Sequence, residues 1–165
     1  MEHVMDKVKV GIADLNVVRQ PQKISTSGLG SCVGLVLYDE QQVLAGLVHV
    51  MLPDSSLSRT EVTKPGKFAD TGINALIKLM EEKGSIKCNL KAKMAGGAQM
   101  FNLASKNENM RIGHKNIVAI EKILTHESIP ILSKDVGGHK GRSIEFDTDT
   151  NLLKIRTVYE GVTYI

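Results

Sequence analysis

Cys32 and His49 are the residues of this chain whose types invite chemistry. Cys32 lies in STSGLGSCVG, residues 25 to 34, where glycines leave a sulfur open to approach; His49 lies in the apolar run GLVHVML. A cysteine attacks as thiolate, and a free pKa of about 8.5 leaves little thiolate at neutral pH. An imidazole that takes the thiol proton turns the sulfur into a nucleophile. Whether the two meet depends on the segments that carry them.

Those segments, CVGLVLYD and VLAGLVHVML, are rich in Val and Leu, are separated by the polar EQQ, and read as the arms of a β-hairpin. Centred on Glu40 and Gln41, the pairing puts Asp39 opposite Gln42 and, carried back along both arms, Cys32 opposite His49. Directly opposed residues share a face with Cβ atoms roughly 4.5 to 5.5 Å apart, within reach of a thiol–imidazole hydrogen bond. An odd loop or a bulge would break this register. The N–H groups of Ser31 and Cys32 are candidate donors to an oxyanion, each worth roughly 3 kcal/mol in comparable sites.

A third group should orient the imidazole. Thr26, Ser25, Ser27, Asp39 and Asp54 are the nearby candidates, and spacing alone does not choose among them. Ser27, Gly28 and Gly30 are candidates to line the substrate. So are Gly137 and Gly138 of DVGGHKGR, where glycine permits close backbone approach. A strand-connecting turn explains the same residues, as it does Gly96 and Gly97.

The glycines do not form a phosphate cradle. Their spacing at 28, 30 and 34 misses the dinucleotide fingerprint by one, a strand follows where a helix is needed, and there is no Walker lysine. A lone cysteine at a strand start is often a small buried hydrophobe, and a lone histidine in an apolar run is often core. It is their opposition beside a glycine-rich turn that points to catalysis. Cys88, with no histidine at a telling spacing, is expected to enter a strand as structural filler. His3 is expected in a mobile terminus; His114, His126 and His139 form no local metal pair, so no metal site is expected.

FADTGINALIKLMEEKG has helical spacing, with Ile73, Leu76, Ile77 and Met80 on one face and Gly84 past the end. HKNIVAIEKILTHES is a second amphipathic helix that turns Ile117, Ile120, Ile123 and Leu124 inward before Pro130. LKAKMAGGA and PILSKDV read as strands, and RSIEFDT and LLKIRTV as a hairpin turning at Asn151. The expected class is α+β, an α/β layered sandwich of mixed or antiparallel sheets with two main helices packed on a sheet.

The 165 residues suit a single domain, 1–165. With 42% hydrophobic and 24% charged residues the chain is globular in type, and without Trp its core must be built from Ile, Leu, Val, Met and Ala. A net charge of +3 without a basic block argues against a nucleic-acid binder. No apolar run approaches a membrane span and the start is not signal-like, so a cytoplasmic protein with reduced thiols is expected.

GLGSCVGLVLYD, AGLVHVMLPDS, KFADTGINALI, AGGAQMF, RIGHKNI and SKDVGGHKGRSIEFDTDT follow one another over nearly the whole chain. Together they resemble the CheD family of chemoreceptor glutamine deamidases. That resemblance implies Cys32 as nucleophile, His49 as general base and Thr26 as the group that supports His49. It implies deamidation of glutamines on the cytoplasmic helices of methyl-accepting chemotaxis receptors through a thioester, with no metal or organic cofactor. Some members also hydrolyse glutamyl methyl esters. It further implies a partner, the CheC phosphatase, which CheD stimulates and which competes with the receptor. His114 and Lys115 depart from the acidic–basic pair common in the family. Two other readings stay open: a cysteine protease or general amidase, and a non-catalytic regulatory module.

Overall fold

The computed structural model describes residues 7–100 and 111–165; His3 lies outside them. The two Val- and Leu-rich arms are β4 (Val33–Asp39) and β5 (Leu44–Val50), and every residue of both is buried. Such strands sit at the centre of a sheet covered on both faces. Their sheet is completed by β2 (Leu15–Arg19), β6 (Lys91–Gly96) and β7 (Ile131–Val136), in the order β2-β5-β4-β6-β7. A second sheet has the order β1-β3-β8-β9-β10, built from β1 (Lys7–Lys9), β3 (Lys23–Leu29), β8 (Arg142–Asp147), β9 (Leu152–Thr157) and β10 (Gly161–Tyr164). Both sheets are mixed, because β1 runs parallel to β3 and β6 parallel to β7.

Period-two alternation divides the β4 and β5 side chains between two cores. Val33, Leu35, Leu37, Val48 and Val50 face α1 (Ala69–Glu82) and α2 (Ile112–His126). Val36, Tyr38, Ala45 and Leu47 face the other sheet, where Tyr38 meets Phe146 at a ring separation of 5.1 Å. The result is three layers: helices, central sheet, outer sheet. Ile73, Leu76, Ile77 and Met80 of α1 are buried as their spacing requires. So are Ile117, Ile120 and Leu124 of α2, while Ile123 packs at its margin. Each such side chain contributes about 1.5–3 kcal/mol on burial, which lets aliphatics alone carry the core. No helix among the described residues is long and apolar enough to cross a membrane.

Three expectations of detail are corrected. The β4–β5 loop has four residues, not two, because Asp39 pairs with Leu44. The Asp39 carboxylate accepts the N–H groups of Gln41 and Gln42, at 3.0 and 3.1 Å, and Val43 takes a left-handed φ of 51°. Gly34 is therefore the residue opposite His49. Cys88 is exposed, in a single 3-10 turn over Lys87–Asn89; β6 begins after it, and Leu90 is the residue that turns inward. Strand β10 has no alternating pattern to announce it, because all four of its residues are exposed at the sheet edge. The hairpin at Asn151 is present as read, with β8 and β9 antiparallel and Asn151 at φ 59°.

Candidate active site

The two-residue change in loop length preserves parity, so Cys32 and His49 still belong to one face of the central sheet. They stand diagonally, since Cys32 precedes by two the Gly34 that faces His49. Diagonal neighbours have Cα atoms roughly 7–8 Å apart. The thiol makes no hydrogen bond to the ring, and Nε2 of His49 is buried without a partner.

His49 is fully buried between the sheets, and the glycine opposite it is what lets the outer sheet come close. A Cβ on Gly34 would come within 2.5 Å of Ile144 Cδ1. Ile144 pairs with Thr26 on β3, so the Gly34–His49 pair of one sheet rests on the Ile144–Thr26 pair of the other. Thr26 Oγ1 stands 2.8 Å from His49 Nδ1 and 2.7 Å from the carbonyl oxygen of Val10. A carbonyl can only accept, so the one hydroxyl proton goes to Val10 and Nδ1–H donates to Thr26. This relay fixes the tautomer: Nε2 carries a free lone pair. Of the other candidates for that orienting position, Ser25 and Ser27 lie beside Lys7 and Lys9 on a shallow pocket of the outer sheet. Asp39 caps the β4–β5 loop and Asp54 caps a 3-10 turn through Ser56 N–H.

Strand β3 reaches the Cys32 loop through a bulge. Its pairing with β8 slips by one residue between Thr26 and Leu29, where Gly28 has φ 73°. The bulge keeps both Thr26 and Leu29 inward and carries the chain across to Cys32. Beyond it, Gly97 N–H donates to Cys32 O at 2.9 Å, but no return bond from Cys32 N–H to Gly97 is made. Among the described residues the N–H groups of Ser31 and Cys32 donate to no backbone acceptor.

Gly28 and Gly30 line a cleft of about 610 Å³ with Met100, Arg142 and the exposed Val158 and Tyr159. Gly137 and Gly138 are not among its lining residues. Gly137 N–H donates to Gly96 O at 3.0 Å and Gln99 N–H donates to Gly138 O at 2.8 Å, so this loop braces the 96–99 segment. Ser27 is exposed and lines the outer-sheet pocket.

Two residues that matter for Cys32 were missed or left ambiguous by pattern reading. Gly96 has φ 117°, and a Cβ there would collide with Cys32 O and sit 3.1 Å from Val33 Cα. Gly96→Ala is expected to cost about 2 kcal/mol or more, through left-handed strain and a backbone clash, and to slow Cys32 alkylation. Urea melts and iodoacetamide kinetics that match the unaltered chain would contradict this. Asn116, fully buried on α2, was not singled out; its signal is a polar side chain four residues before Ile120 within an apolar stripe.

Burial raises the Cys32 thiol above its ordinary pKa, partly offset by a hydrogen bond from its own backbone N–H. Burial lowers the His49 ring below its ordinary value. Both directions favour a neutral thiol and a neutral imidazole at rest, not a standing ion pair.

Fold and site together define a layered α+β protein with a cysteine, a tautomer-fixed histidine and a threonine gathered between its sheets. The chain belongs to the CheD family. The family model described as CheD chemotactic sensory transduction matches residues 51–157. A chemoreceptor glutamine deamidase CheD of Halalkalibacterium halodurans is 54% identical over 94% of this chain and 96% of its own length. Its namesake in Bacillus licheniformis is 56% identical over 96% and 94%, and that of Bacillus subtilis 53% over 93% of each.

Proposed function

We propose that this protein is a protein-glutamine deamidase of chemoreceptors, converting glutamine side chains to glutamate with release of ammonia. The relatives' names support the reaction and the substrate class. The observation that carries the chemistry is the buried, unpartnered Nε2 of His49, left as an acceptor by the Val10–Thr26–His49 relay.

In the proposed mechanism a glutamine carboxamide enters past Gly28 and Gly30. Cys32 Sγ attacks its carbon while Nε2 of His49 takes the thiol proton, and the N–H groups of Ser31 and Cys32 hold the oxyanion. The tetrahedral species collapses, breaking the C–N bond; the Nε2 proton leaves with the nitrogen as ammonia, and a glutamyl thioester remains. Water then attacks the thioester, Nε2 takes its proton, and the C–S bond breaks to give glutamate. The proton on Nε2 returns to the sulfur. The sum is one amide and one water to one carboxylic acid and one ammonia, with no cofactor in any step. Hydrolysis of a glutamyl methyl ester would follow the same route with methanol leaving.

The exposed Tyr159, Val158 and Met100 around the cleft suit an apolar helical surface, so the receptor's cytoplasmic helices are assigned to this face. Such a substrate puts the reaction in the cytoplasm. Family resemblance adds a CheC-type phosphatase as a second partner, bound and stimulated in competition with the receptor. The new carboxylate repels like charges on neighbouring helix turns, which gives the reaction a means to bias receptor packing.

The test is peptide mapping of receptor cytoplasmic fragments before and after incubation. Chosen glutamines should gain about one dalton with equivalent ammonia. Backbone cleavage products would replace the reading with a protease, and unchanged peptides would leave only a binding module.

A further inference from the structure

The ladder between β4 and β5 ends at the Val33–Val50 pair. His49 lies just inside that end and Cys32 just outside it. The ladder alone therefore does not hold the sulfur at the ring. Past its end, among the described residues, the two strands are tied by one side chain from the helical layer. Nδ2 of Asn116 donates to Ser31 O at 2.9 Å and to Met51 O at 3.0 Å. Ser31 immediately precedes Cys32, and Met51 is the second residue after His49.

Resting on the deamidase reading, we propose that Asn116 is a positioning residue: its carboxamide sets how far Cys32 stands from His49. A primary amide carries two hydrogens on one nitrogen, so it can bridge two carbonyls of different chains at once. Asn116 is fully buried, and its Oδ1 has no partner. The orientation is thus decided by the two donors, because the flipped amide would set its oxygen against two carbonyl oxygens. Among the described residues, no other polar side chain donates to either carbonyl. Removing the bridge frees the residue before the nucleophile while leaving the Thr26–His49 relay, on the other side of the sheet, intact.

The experiment is a double-mutant cycle read by iodoacetamide alkylation of Cys32 at pH 7. It is run in a Cys88→Ser background, since that thiol is exposed. Asn116→Ala is expected to slow alkylation about tenfold when His49 is present and less than about twofold in a His49→Ala chain, the non-additivity of residues acting through one another. A merely structural role would give equal factors in both backgrounds and overturn the proposal, as would no effect, or no effect of His49→Ala itself. Asn116→Asp keeps the shape and loses the paired donors, and it carries the same cycle if the alanine variant does not fold. With receptor fragments, kcat should fall with KM within about twofold, since the substrate cleft is untouched. The alkylation cycle needs no receptor. A chain that couples Asn116 to His49 but deamidates nothing would sink the deamidase reading alone.

Discussion

Cys32→Ala is expected to abolish ammonia release from receptor fragments, a loss on the order of 10⁶ when a hydrolase loses its nucleophile. No neighbouring group takes over, because the other cysteine, Cys88, is exposed in the turn before β6 and outside the site. The variant should still fold. Cys32 is only half-buried at the margin of the inter-sheet core, so trimming its side chain to a methyl costs about 1 kcal/mol. Parallel urea melts and peptide mapping separate the two effects. Release equal to that of the unaltered chain would remove Cys32 as nucleophile and leave the half-exposed thiol without a role.

His49→Ala is expected to lower the rate by about 10²–10⁴, the contribution of a positioned general base and acid. Its pH signature follows from burial, which lowers the ring's pKa. The base stays neutral below the ordinary histidine value of about 6.5, so the acid limb of the rate profile should fall below that pH. The variant should lack this limb. Stability moves with the same group. Between the lowered folded pKa and about 6.5 the unfolded chain binds the proton and the folded chain does not, so stability rises with pH through that window and levels above it. Acidification therefore erodes the unaltered protein, and its stability gap to His49→Ala should narrow from pH 7.5 to pH 5.5 in urea melts. A gap that widens would mean the ring is protonated in the fold.

On the basic side, the raised thiol pKa keeps the resting pair neutral. A site of this kind holds its sulfur as a thiol until an electrophile is seated against it and the ring can take the proton, which lowers the standing population of thiolate open to oxidation. The threonine relay makes that economy workable. Thr26 spends its proton on Val10 and can only accept from the ring, so the lone pair always faces away from it, on Nε2.

The alternation of β4 and β5 was legible in the residues themselves, and with it the fact that Cys32 and His49 share a face. That inference survived a wrong register because side chains in strands repeat every two residues and the loop proved longer by two. Both helices and their inward stripes were equally legible, since their apolar spacing needs no partner to be recognised. The loop length was not, because Asp39 sets it by accepting two N–H groups, a local hydrogen-bond choice that leaves no periodic mark. Thr26 stood among five candidates until the sheets were stacked, and the contact that selects it crosses between layers through the space above Gly34. Asn116 reaches Ser31 from 85 residues away and Met51 from 65, and Gly96 touches Cys32 from a neighbouring strand. By itself, then, the sequence determined which residues carry reactive groups and which face each strand residue takes, because those follow from side-chain chemistry and backbone period. The tertiary structure decided how far apart the reactive atoms stand and which tautomer the ring holds, because both are set by bonds between segments that meet only after the layers close.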